Sequence, residues 1–139
     1  MTAFDTDVLT EILLGNAAFE PRAATIPIHQ QAVPIIVIEE ILRGRLNVIR
    51  QAEAGKAGVS IERAYELFQE TFSDAQRLHI LSYTSLAESL YQQWRQQGIR
   101  GSTHDMRIAA ICVAHHARLI SRNRRDYERI PGLTVEFWV

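Results

Sequence analysis

The stretch GSTHDMRIAAICVAHHARLISRN, Gly101 to Asn123, decides the fold class. Ser102 and Thr103 are residue types that cap helix N-termini, and Asp105 follows in what would be a first turn, where the helix macrodipole favours a carboxylate. Ile108, Ala109, Ile111 and Cys112 then recur at helical spacing and are predicted to be buried. Beyond Arg118 the period changes. Leu119-Ile120-Ser121 reads as a short strand that gives way to the polar, basic segment Arg122-Asn123-Arg124-Arg125. A helix that hands the chain to a short buried strand is the unit from which α/β folds are built.

The same alternation extends in both directions. Towards the C-terminus, the Pro131-Gly132 turn precedes a strand-like run from Leu133 to Trp138. Towards the N-terminus, Leu78 to Leu81 reads as a strand before a helix carrying Leu86, Leu90 and Trp94 and closing at Gly98. Ser60 is placed to cap a helix with Ile61, Ala64, Tyr65 and Phe68 on one face, although Arg63 leaves it without a capping box. The β-branched run Val33 to Ile38 reads as a strand with Pro34 at its start, and a helix from about Glu40 to Glu53 follows until Gly55 and Gly58 break it. The chain opens with a strand at Ala3-Phe4, then Val8, Leu9, Ile12 and Leu13 at helical spacing and Gly15 as C-cap. The expected architecture is a single α/β domain over residues 1–139, with a central, mostly parallel β-sheet covered by helices.

Size and composition agree with one domain: 139 residues, 47% of them hydrophobic, suffice for one core and are few for two. A net charge of −1 argues against a general polyanion-coating protein and leaves room for a local basic patch. The lone Cys112 has no partner for an internal disulfide and reads as a core residue, and Trp94 and Trp138 read as fillers of a core or a dimer interface. No signal-peptide pattern opens the chain and no apolar run is long enough to span a bilayer, so the expected location is cytoplasmic, with no membrane partner.

Four acid or amide positions stand at the ends of these elements. In a parallel sheet ligands collect outside the carboxyl ends of the strands, near the point where strand order reverses. Asp5 after the first strand and Asn123 after Leu119-Ile120-Ser121 belong there, and Glu40 and Asp105, near helix starts, are expected on the same rim. Such an oxygen-rich, sulfur-free set suits Mg²⁺ or Mn²⁺. Carboxylates gathered so closely repel one another, and at least one pKa is raised unless a cation neutralises them. Cations held in this way would favour hydrolysis of a phosphodiester, and Arg122, Arg124, Arg125 and Arg129 beside Asn123 are candidates for flanking phosphates. A solvated loop is the bland reading of those arginines, as a helix cap is of Asp5 and a turn residue of Asn123. His104 reads as a surface-loop histidine, and the adjacent His115 and His116 cannot share a helical face.

Four blocks, in order, resemble the signature motifs of PIN-domain proteins: Phe4-Asp5-Thr6-Asp7-Val8-Leu9, Ile38-Glu39-Glu40-Ile41-Leu42-Arg43-Gly44, His104-Asp105-Met106-Arg107-Ile108-Ala109-Ala110 and Leu119-Ile120-Ser121-Arg122-Asn123-Arg124-Arg125-Asp126-Tyr127. The closing Ile130-Pro131-Gly132-Leu133-Thr134-Val135-Glu136 is similar to the tail of VapC-type toxins from bacterial toxin–antitoxin pairs. The resemblance covers nearly the whole chain. It implies a metal-dependent endoribonuclease, a homodimer, held inactive by a small antitoxin, with Asp5, Glu40, Asp105 and Asn123 as ligands. Asp7 stands where many relatives carry Asn, and Asp126 lies three residues past Asn123, so both are further candidate ligands. An alternative within the same fold is a module that holds RNA or a partner chain without cleaving. The Asp5-Thr6-Asp7 opening with Thr10 is also similar to haloacid-dehalogenase-like phosphatases, but the only lysine, Lys56, lies in the loop-like stretch Ala54-Gly55-Lys56-Ala57-Gly58 and leaves that reading without its charge partner.

Overall fold

A computed structural model describes residues 1–139. The chain divides into two compact units, one made of Met1–Val37 with His79–Val139, the other of Ile38–Leu78. The sequence had suggested one domain over the whole length.

The larger unit contains a five-stranded sheet in the order β3-β2-β1-β4-β5, with every neighbouring pair parallel. Its strands are β1 (Thr2–Phe4), β2 (Gln31–Pro34), β3 (Ile80–Leu81), β4 (Arg118–Ser121) and β5 (Val135–Phe137). The three inner strands, β2, β1 and β4, are buried from both sides. Ala3, Val33, Leu119 and Ile120 are almost wholly enclosed, and a parallel sheet with both faces covered needs such continuous apolar runs. From β1 the chain steps through β2 to β3 on one side, then returns to place β4 on the other, so strand order reverses between β1 and β4.

Helices connect the strands: α1 (Thr6–Leu13), α2 (Glu20–Ala24), α3 (Ile35–Glu53), α4 (Ile61–Gln76), α5 (Ser85–Gln96), α6 (Thr103–Ala114) and α7 (Arg124–Tyr127). Asp5 caps α1 by accepting from the Thr6 N–H, and Gly15, at φ +74°, takes the left-handed turn that ends this segment. Along α6, Ile108, Ala109, Ile111 and Cys112 have no exposed surface, as their spacing predicts. Trp94 and Trp138 are both core residues, Trp138 stacking on Phe19 with ring centroids 6.0 Å apart.

Two readings are corrected. The run Val33 to Ile38 is not one strand: β2 ends at Pro34 and α3 begins at once with Ile35. A short β-branched apolar run has the same hydrophobic pattern as one buried turn of helix, and periodicity alone does not separate them. Pro34 pairs with Leu81 at the end of its strand and needs no further ladder donor there. Glu40 is therefore the sixth residue of α3 rather than part of its first turn.

The smaller unit contains most of α3, which ends at Glu53 as its glycines suggested, and α4, capped by Ser60 through the Arg63 N–H. Arg45 donates to the Thr71 hydroxyl at 2.9 Å and ties the two helices together. Tyr65, assigned from its spacing to the apolar face of α4, is 53% exposed, while Ala64 is buried.

Candidate active site

The reversal between β1 and β4 positions the acidic groups. Phe4 lies opposite Ile120, and the Asp5 N–H continues the ladder by donating to the Ile120 carbonyl at 2.9 Å. The chain then turns into α1. This leaves the Asp5 carboxylate buried at the carboxyl end of the central strand, with its Oδ1 accepting from the Thr6 N–H at 2.8 Å and its Oδ2 from the Ser121 hydroxyl at 2.7 Å. The Ser121 oxygen in turn accepts from the Asn123 N–H at 3.0 Å, so one hydroxyl joins the ends of β1 and β4.

Burial pushes the Asp5 carboxyl up from its ordinary value of 3.8 to about 7, against the lowering effect of the Ser121 hydroxyl, with Asp7 and Asp105 adding repulsion. Asp7, in the first turn of α1, accepts from the Arg122 N–H at 3.3 Å through Oδ2, while its Oδ1 is buried without a hydrogen-bond partner. Its carboxyl too is raised, chiefly by burial.

Asp105 comes from the first turn of α6. Ser102 caps that helix by accepting the Asp105 N–H at 3.1 Å, and the Tyr127 hydroxyl donates to Asp105 Oδ1 at 3.2 Å. Burial raises the Asp105 carboxyl, and contact with Asp126 raises it further. The Asn123 amide donates to Asp126 Oδ2. Asp5, Asp7, Asp105, Asn123 and Asp126 thus form one linked set, in which Asp126 meets Asp105 directly and Asn123 reaches it through Asp126. Tyr127 is nearly fully buried, and its phenol is raised far above the ordinary range by burial and by the charges of Asp5 and Asp105.

Glu40 lies half-buried on α3, within the smaller unit. No three acidic, histidine or cysteine side chains gather tightly enough to hold a metal ion as they stand. The donor chemistry nonetheless suits a hard cation. The set offers only oxygen and amide groups, holds two carboxyls in mutual contact, and buries one Asp7 oxygen that nothing satisfies. A cation would relieve each of these costs.

The arginines are occupied by local contacts. Arg122 lies 5.3 Å from the Phe19 ring and 3.9 Å from a Glu11 carboxylate oxygen, and Arg124 lies 4.5 Å from the Phe137 ring. Arg125 and Arg129 are exposed. Sequence reading gave no role to Ser121 or Tyr127. The signal for Ser121 was a polar residue closing an apolar strand beside a basic loop. For Tyr127 it was an aromatic four residues past Asn123, which only the short helix α7 turns back towards Asp105.

A parallel α/β sheet with a buried carboxylate at its switch point, and further acids arriving from the next helices, defines a class of oxygen-ligand hydrolytic sites. No family model matches the chain. It is 32% identical to Ribonuclease VapC1 of Rickettsia felis over 106 residues, covering 76% of this chain and 75% of that protein. The chain belongs to the VapC ribonuclease family, as the four PIN-type blocks implied. Its fold is that of VapBC2 from Rickettsia felis bound to a promoter DNA fragment, with a TM-score of 0.73 at 19% identity over 99% of this chain and 98% of that one. It is equally similar to DNA-bound VapBC from Salmonella typhimurium, with a TM-score of 0.72 at 20% identity and all of both chains covered.

Proposed function

We propose that this protein is an endoribonuclease that hydrolyses RNA phosphodiester bonds, and that it is the toxin of a VapBC-type toxin–antitoxin pair. Membership of the VapC ribonuclease family supports the reaction class. The observation that carries the assignment of the site is the buried Asp5 carboxylate at the sheet's switch point, electrostatically coupled to Asp105.

Mg²⁺ or Mn²⁺ is the proposed cofactor, held within the larger unit by Asp5 and Asp105, with Asn123, Asp7 and Asp126 in support; Glu40, the remaining ligand the sequence suggested, belongs to the smaller unit. The chemistry a hard divalent cation supplies when bound is charge neutralisation at a phosphodiester under attack. The chain's own residues set the terms. Ser121 and the Thr6 N–H hold the Asp5 carboxylate in one orientation, and the Tyr127 hydroxyl and the Ser102 cap do the same for Asp105. With its carboxyl raised to about 7, Asp5 is partly protonated at neutral pH, so a cation held there would compete with protons for it. Arg122, Arg124 and Arg125 flank the cluster and offer charge to RNA phosphates.

The solved relatives are complexes of a VapC-like chain with an antitoxin, and the partners proposed here are an RNA substrate, a small antitoxin and a second copy of the chain. No helix is long and apolar enough to cross a membrane. The proposed location is the cytoplasm, where RNA is available.

The deciding experiment is cleavage of transfer RNA, ribosomal RNA fragments and messenger RNA by the purified chain with Mn²⁺, with Mg²⁺ and with chelator, beside Asp105→Asn. Discrete metal-dependent cuts that disappear in the variant are expected. RNA bound but left intact by a chain that does take up Mn²⁺ would point instead to an RNA-holding module.

A further inference from the structure

Away from the acidic cluster, a cleft of about 420 Å³ opens where α5 runs into α6. Its floor is Tyr91 and Met106, both buried, and its rim carries the exposed Arg95 and Arg100 together with Thr103. No carboxylate lines it. Two arginines lining one small cleft with no counter-charge on its walls make a local field suited to an anion.

The cleft is also built to keep its shape. Arg95 donates from Nη1 to the Tyr91 hydroxyl at 3.0 Å. The loop wall passes so close to the floor that a Cβ on Gly101 would lie 3.1 Å from Met106 Cγ, a spacing that only glycine permits without a shift. Arg95 is thus fixed by its own hydrogen bond while its remaining donors stay free of any carboxylate in the cleft. Thr103 begins α6 and Asp105 lies in the same first turn, so one helix carries both a wall of the cleft and a carboxylate of the acidic cluster.

We infer that this cleft is a subsite for a backbone phosphate of single-stranded RNA, one that grips the substrate outside the acidic cluster. The inference rests on the ribonuclease reading and deepens it. Because phosphate contacts carry no base information, the subsite contributes affinity without sequence preference. Arg100, which spends its charge on no partner in the cleft, is the principal contact; Arg95 is the second, oriented through Tyr91.

The test is fluorescence anisotropy of labelled ten-nucleotide oligo(U) and oligo(A) with the full-length chain in chelator, over a range of salt concentrations. Arg95→Gln, Arg100→Gln, Arg95→Lys and, as a matched loss of charge on α3, Arg50→Gln are compared, with thermal unfolding of each to verify folding. Arg95→Gln and Arg100→Gln are expected to weaken binding of both oligonucleotides several-fold and to equal extents. Each should also lower the slope of log affinity against log salt by about 0.7, the value of one phosphate contact on a single strand. Arg95→Lys should keep most of the affinity, and Arg50→Gln all of it. Unchanged binding in the two Gln variants, or an equal loss in Arg50→Gln, overturns the subsite and leaves the ribonuclease reading standing. A parent chain that binds neither RNA overturns the subsite by removing its occupant. Failure of the ribonuclease reading alone looks different: RNA is held through the cleft, but the cleavage assay gives no products.

Discussion

Asp5 illustrates how one buried carboxylate links stability to chemistry. Burial, with the charges of Asp7 and Asp105 beside it, raises this acid from 3.8 to about 7. Between those values the folded chain binds more protons than the unfolded one, so stability falls as pH rises from about 4 to about 7 and is level above that. Asp105, also raised by burial, acts in the same direction. Without a cation the chain should therefore melt at lower temperature at pH 8 than at pH 5, with Asp5 responsible for about 2–3 kcal/mol of the difference. Asp5→Asn should remove most of that pH dependence, stabilise the chelated protein at pH 8 and abolish cleavage; a variant with the parent's pH slope in calorimetry would contradict this account. Ser121→Ala tests the opposing contribution. Loss of its hydroxyl leaves Asp5 Oδ2 and the Asn123 N–H without their shared partner, which should cost about 1–2 kcal/mol at pH 8. It should also move the acid limb of the pH–rate profile upward, because the hydroxyl holds the Asp5 carboxyl down.

At the scale of elements, α6 does two things at once. Its interior face, from Ile108 to Cys112, fills the core, and its first turn presents Asp105. Ser102 serves both, since the N–H it accepts is that of Asp105 itself. Ser102→Ala should destabilise the chain by about 1 kcal/mol in urea unfolding and slow cleavage as well, because the backbone that carries the carboxylate loses its anchor. Ser102→Asp should restore stability, since aspartate is an equally good cap, and only partly restore activity, since it places one more negative charge beside Asp105. Recovery of both together would show that the cap matters only for folding. The strand readings were less sharp than the helix readings. Leu78 to Leu81 and Leu133 to Trp138 shrink to Ile80–Leu81 and Val135–Phe137 in the structure, because ladder partners, not apolar character, set where a strand ends.

For the whole molecule, the acidic set has consequences for ligand-linked stability. A cation that binds only the folded chain stabilises it by mass action, about 2.7 kcal/mol at a hundredfold excess over its Kd. Mn²⁺ should raise the melting temperature more at pH 8 than at pH 5, where protons compete for Asp5 and Asp105. Asp105→Asn should blunt the shift at both pH values. A Mn²⁺ shift that ignores both pH and Asp105 would place the ion elsewhere on the chain. The parallel five-stranded sheet is what makes such linkage possible, because it brings the ends of strands that are distant in sequence to one rim.

The sequence by itself determined the α/β class, the cap at Ser60, a cap at Ser102 or Thr103, the buried face of α6 and the acidic positions, because each is written in local periodicity and residue type. Four short blocks also carried the family. Only the tertiary structure decided that Ile35 to Ile38 are helical, since a buried β-branched run suits either backbone until its neighbours are known. Nor does the sequence show that Ser121 bonds to Asp5, 116 residues away, or that Asp126 lies against Asp105. Those contacts depend on the pairing of β1 with β4 and on the single turn of α7, and the register of a parallel pair is set by what packs above and below it.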